Sequence, residues 1–108
     1  MSSTRQHTLT IASAASVSDG MSIVEVTTGS LLIPAAFSGT TLTFQASLTL
    51  GGTYSPVRNA SNAEVSLDVT TSAWHAIPTE VMTHDHIKLV SEATEPVEQS
   101  ISVVTKVP

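Results

Sequence analysis

The nine residues from Leu42 to Leu50, Leu-Thr-Phe-Gln-Ala-Ser-Leu-Thr-Leu, alternate apolar and polar without a break. Successive side chains of an extended strand point to opposite faces, so Leu42, Phe44, Ala46, Leu48 and Leu50 fall on one side. A helix would scatter those five residues around its axis. The pattern therefore predicts one long strand with one face buried, spanning about 30 Å at roughly 3.3 Å per residue. Pro34 and Ser38-Gly39 punctuate the chain before it, and Gly51-Gly52 begins a turn after it.

Shorter segments repeat the theme. His7 to Ala12 reads as a first strand with His7, Leu9 and Ile11 on one face, preceded by a polar arm, residues 1–6. Met21 to Thr28 reads as a second strand and Leu31 to Ile33 as a third, stopped by Pro34. Tyr54 to Val57 is a short extended piece, and Glu64 to Thr70 alternates with Val65, Leu67 and Val69 inward. Trp74 to Pro78 reads as a strand or corner, and Thr79 to Asp85 as a connection with room for a turn of helix. His86 to Val90 and Gln99 to Val107 complete the set, separated by an acidic segment read as a solvated loop carrying Glu92, Glu95 and Glu98.

About eight short strands, with turn signals between them and no sustained 3.6-residue period, predict an all-β antiparallel sandwich or a small barrel. Composition agrees: Ser, Thr and Val supply 16, 16 and 12 of 108 residues, and Thr and Val favour strands. The length suits a single domain, expected over residues 7–108.

Charge narrows the function. Charged residues make up 12% of the chain, about half the usual share for a soluble domain, and the net charge is -5. Arg5, Arg58, Lys88 and Lys106 are the only basic side chains, too few to neutralise a run of phosphates, so no nucleic-acid partner is expected. No apolar run reaches the length of a membrane span, and the opening residues lack the apolar segment of a secretory signal. The absence of cysteine removes disulfides, thiol nucleophiles and thiolate metal sites. With 41% hydrophobic residues and few charges, two surfaces are open to the chain: one covered by another subunit, or one carpeted by hydroxyls.

No residue set carries a catalytic signature. His84-Asp85-His86 puts two imidazoles on one face of an extended segment, but a zinc site needs at least a third ligand, which His7, His75 or an acid would have to supply. A polar turn entering a strand accounts for it better, so no metal and no cofactor is expected. Glu64 and Asp68 lie on the outward face of one strand rather than across a cleft, and no Gly-x-Ser-x-Gly elbow or phosphate-binding loop occurs. Trp74 and Tyr54 could stack on a sugar, but with Phe37 and Phe44 they are expected to be the large pieces of the core. The chain is not read as an enzyme.

From Leu31 to the C-terminus, about three quarters of the chain, the sequence resembles small virion proteins of tailed bacteriophages, the head decoration or cement proteins. The matching pieces are Ile-Pro-Ala-Ala-Phe (33–37), Gly-Thr-Thr-Leu-Thr-Phe-Gln (39–45), Gly-Gly-Thr-Tyr-Ser-Pro-Val (51–57), Asn-Ala-Ser-Asn-Ala-Glu-Val (59–65), Ile-Lys-Leu-Val-Ser (87–91) and Pro-Val-Glu-Gln (96–99). Leu48-Thr49-Leu50 departs from the more polar turn such proteins carry before the glycine. The resemblance implies a jelly-roll-like sandwich, assembled in the host cytoplasm. Its partner would be the major capsid protein, on the outer surface of the virion. Copies would associate with one another as dimers or trimers. Contact residues are then expected in the arm, at Arg5, Gln6 and His7. The rival reading is a tail or fibre module that binds a carbohydrate or receptor.

Overall fold

A computed structural model of the chain describes residues 3–24 and 26–107. Among the described residues nine strands run in chain order: β1 (Ser3–Ile11), β2 (Met21–Ser22), β3 (Thr28–Leu32), β4 (Thr41–Ser47), β5 (Ser55–Pro56), β6 (Ser66–Asp68), β7 (Trp74–Ala76), β8 (His86–Ser91) and β9 (Gln99–Val107). One turn of 3-10 helix, Val81–Thr83, precedes β8. The strands form two antiparallel sheets, one in the order β1-β9-β3-β7, the other β2-β8-β4-β5 with β6 also paired to β4.

The pairing is nested: β1 with β9, β2 with β8, β3 with β7, and β4 with β5 and β6. Successive pairs of this folded ribbon lie in alternate sheets. That wrapping is the jelly roll, two Greek keys closed into a sandwich. The sequence-based expectation of an all-β sandwich of the jelly-roll type holds.

Alternation explains how the layers meet. Leu9 and Ile11 of β1, Ile101 and Val103 of β9, and Leu31 of β3 are buried from one sheet. Leu42 and Phe44 of β4 and Ile87 and Leu89 of β8 meet them from the other. Phe37, Val57, Val65, Ile77 and Val81 close the core from loops and strand ends.

Several boundaries differ from the sequence reading. β4 stops at Ser47, and Leu48 and Leu50 are 86% and 55% exposed rather than inward. The alternation continues, but no partner strand does, because β8 pairs with β4 only as far as Ser47↔His86. The second strand is cut to Met21–Ser22, since the chain turns at Ile23 and Val24; β3 then starts at Thr28. Residues 3–6, expected as an arm, are the first half of β1, paired with residues 104–107 of β9. Met1 and Ser2 lie outside the described residues.

Candidate interaction surface

The outer face of the β1-β9-β3-β7 sheet is built from the residues that alternate with the core. Register places Gln6, Val104, Ser30 and Ala76 in one row across it, and Thr8, Ser102, Leu32 and Trp74 in the next. Thr4, Lys106 and Thr28 make a third row, and Thr10 pairs with Ser100. Lys106 is the one charged residue among these positions, and none is acidic. The result is a hydroxyl-rich face with its one aromatic group at the β7 edge.

That group is Trp74, 55% exposed. It falls on the outer face because β7 pairs Leu31 with His75 and Leu32 with Trp74, so the neighbouring His75 takes the inward side. An open cleft of about 340 Å³ is lined by Leu32, the strand partner of Trp74, with Ile33, Pro34, Ala35, Ser72, Ser100 and Ser102. Ser72 holds a left-handed backbone (φ 58°) and donates its N–H to the Ile33 carbonyl, fixing the turn that precedes Trp74. The expectation that all four aromatics fill the core is therefore corrected. Phe37 and Phe44 are buried, Tyr54 is half-buried against the surface, and Trp74 stands out.

The residues expected to touch a partner lie on β1. Gln6 is exposed on the outer face, Arg5 is exposed, and His7 is half-buried beyond Leu9.

The remaining candidates for chemistry are dispersed. His84 and Asp85 are exposed and line a second cleft of about 290 Å³ with Leu48, Pro56 and Arg58. His86 sits between Ser22 and Ser47 in the other sheet, its Nδ1 buried without a hydrogen-bond partner. Among the described residues, no three or more His, Asp or Glu side chains stand close enough to hold an ion. His75 Nε2 accepts the Thr70 N–H at 3.0 Å, so its ring is engaged in holding a turn. Asn59, in the sequence Asn-Ala-Ser, likewise uses its Oδ1 to accept the Ser61 and Ala63 N–H groups.

The acidic segment before β9 is not simply a solvated loop. Glu95 is fully buried. Its Oε1 accepts the Ser38 N–H at 2.9 Å, and its Oε2 accepts the Ser38 and Ser91 hydroxyls at 2.9 and 3.0 Å. The Glu95 backbone adds two bonds, accepting from Ala14 N–H and donating to the Ala15 carbonyl. One residue thus ties three loops together. Buried carboxyl groups are rare in folded proteins, and a sequence offers no sign of which acid will find such partners.

An all-β jelly roll with a hydroxyl-lined outer sheet face free of carboxylates is what the chain builds. No family model matches its sequence, and no curated protein matches it. Among solved structures it is similar to the SPBc2 prophage-derived protein YomS, with a TM-score of 0.63 and 8% identity. That alignment covers 98% of this chain and 95% of the other. At so low an identity the likeness is one of fold.

Proposed function

We propose that this chain is a structural protein of a bacteriophage particle, a decoration or cement protein. It binds the outer surface of the shell made by the major capsid protein and stabilises the head by bridging capsomers. The observation that carries the reading is the outer face of the β1-β9-β3-β7 sheet, with Trp74 exposed and no carboxylate among its positions. Contact through such a face works by shape, hydroxyl hydrogen bonds and an aromatic anchor, the residue class that dominates interface energetics. Bridging multiplies a modest contact, because the second attachment becomes intramolecular. The fold shared with a prophage-derived protein is consistent with this origin.

The test is occupancy and robustness. Purified particles are expected to carry the chain in stoichiometric amount, and particles lacking it to burst at lower temperature. Trp74→Ala is expected to weaken shell binding about 30-fold, the cost of losing one aromatic anchor. Equal heat resistance with and without the protein overturns the proposal.

One observation favours a second reading, a tail or fibre module for carbohydrate: the exposed Trp74 pairs across the sheet with Leu32, which lines a cleft together with Ser72, Ser100 and Ser102. Glycan binding that disappears in Trp74→Ala, without binding to empty capsids, selects that reading.

A further inference from the structure

Four strands or strand pairs bound the two sheets, and three of these edges are short. β2 has two residues, β7 has three, and the β5 and β6 edge has two and three, with Pro56 in β5. Brevity and proline are the ordinary ways a sheet edge avoids pairing with another chain. β1 is different. Its nine residues pair continuously with β9, without a bulge or a proline and with Arg5 as their one charge, and its other side is a sheet edge.

The hydrogen-bonding direction of β1 can be read from its end. Thr10 donates its N–H to Asp19 Oδ1 at 2.8 Å, and its carbonyl accepts the Asp19 N–H at 3.2 Å. Thr10 therefore faces away from β9, and by alternation so do Thr8, Gln6 and Thr4. Among the described residues nothing bonds to the outward backbone groups of these three. Asp19 plugs the edge at Thr10. What remains is a free segment of three outward residues, Thr4, Gln6 and Thr8, with Gln6 at its centre.

We propose that this segment pairs with the same segment of a second copy, antiparallel about a twofold axis at Gln6. Gln6 then faces Gln6 of the partner subunit, and Thr4 faces Thr8 of the partner subunit. Each outward pair exchanges two backbone bonds, about six in all. The pairing is isologous, so it closes at two copies. Two features select a second copy as occupant. The plugged end leaves a stretch symmetric about one residue. The residues whose outward backbones pair, Thr4, Gln6 and Thr8, carry no charge, and the register sets the strand's one charged side chain, Arg5, opposite the partner's His7 rather than a second arginine. Pairing yields one eight-stranded sheet, β7-β3-β9-β1-β1-β9-β3-β7, whose hydroxyl-rich outer faces run together. The inference does not depend on shell binding, and either can fail alone.

The absence of cysteine makes the test direct. Residues facing each other as a hydrogen-bonded antiparallel pair have α-carbons about 5.5 Å apart, inside the disulfide range. Gln6→Cys is expected to give a covalent dimer under mild oxidation. Thr4→Cys alone is expected to give none, and mixed Thr4→Cys and Thr8→Cys chains are expected to cross-link. By sedimentation at about 100 µM, where a dimer with a micromolar Kd is largely formed, the unmodified protein is expected at twice 11.2 kDa. Gln6→Lys, which opposes two like charges, is expected at 11.2 kDa, with a melting temperature matching the parent's at dilutions where both are monomeric. A monomeric unmodified protein, a dimeric Gln6→Lys variant, or equal cross-linking of Thr4→Cys and Gln6→Cys alone overturns the proposal.

Discussion

The two ends of the sandwich use their side chains in opposite ways. At one end the loops 12–17, 33–40 and 92–98 converge on Glu95, whose carboxyl group is buried and bonded to Ser38 and Ser91. Gln99, also buried, donates to the Ala36 and Val97 carbonyls, and the Ser91 N–H donates to the Ser16 carbonyl. At the other end the β4–β5 loop exposes Leu48 and Leu50. Its bonds are local: the Thr49 N–H donates to Ser47 Oγ, the Gly52 N–H to the Thr49 carbonyl and the Tyr54 hydroxyl to the Leu50 carbonyl, with Lys88 Nζ 4.4 Å from the Tyr54 ring centre. Polar groups turn inward at the first end and apolar groups outward at the second. Loops without strand pairing must satisfy their backbone by other means, and a buried acceptor serving several donors does so for three loops at once. The open end has no such fixture, so its apolar residues are available for contact.

The sharpest way to break this contrast is Glu95→Ala. It strands the Ser38 N–H and the Ser38 and Ser91 hydroxyls in a buried site. The expected loss is about 3 kcal/mol or more, a fall of roughly 12 °C or more in Tm for a domain of this size. Calorimetry checks it, and a drop below about 1 kcal/mol would mean the loops hold without the carboxyl group.

A matched pair of glycine substitutions compares the ends directly. A Cβ added at Gly39 would lie 2.7 Å from Ser91 Oγ and 3.0 Å from Phe37 Cε2, whereas one at Gly51 meets nothing within 4 Å. Gly39→Ala is expected to cost about 1–3 kcal/mol through overpacking. Gly51→Ala is expected within about 0.5 kcal/mol of the parent. Denaturant melts of the two variants read the difference.

Glu92 adds a pH dependence to the first end. The Thr40 hydroxyl and then the Thr40 N–H donate to it and hold its carboxyl group below the ordinary carboxylate range, against desolvation, with a smaller contribution from the Thr41 N–H. The folded protein therefore takes up this proton less readily than the unfolded chain. The stability it contributes is complete above the unfolded value and lost as pH falls through the folded one. Melting curves from about pH 6 down to 2 are expected to fall less steeply in Glu92→Gln than in the parent.

Much of the fold was legible because alternation reports burial locally. Leu42, Phe44, Leu9, Ile11, Ile101 and Val103 all lie where period-two patterning puts them. What alternation does not report is whether a partner strand is present. Leu48 and Leu50 continue the pattern of β4 beyond the last residue of β8 that could pair with it. Ser3 to Gln6 looks like an arm because its partner is about 100 residues away. Glu95 and Trp74 were misplaced for one shared reason: residue type sets an average burial, but the loops around each position decided it. Gln6, expected as a contact residue in an arm, is an exposed residue of β1, and its position at the centre of a free edge emerged only from the pairing.

The smallest expected change sharpens the comparison most. Leu48 is 86% exposed, so Leu48→Ser removes little buried area and should leave the melting temperature within about 2 °C. If the open end is a contact, the same variant weakens attachment to capsid shells, though by less than Trp74→Ala, since an exposed loop leucine anchors less than an aromatic ring. Binding isotherms of the two variants on particles stripped of the protein measure both losses. An unchanged Leu48→Ser isotherm would confine the contact to the hydroxyl-rich sheet and leave the β4–β5 loop as a turn that lacks a partner strand.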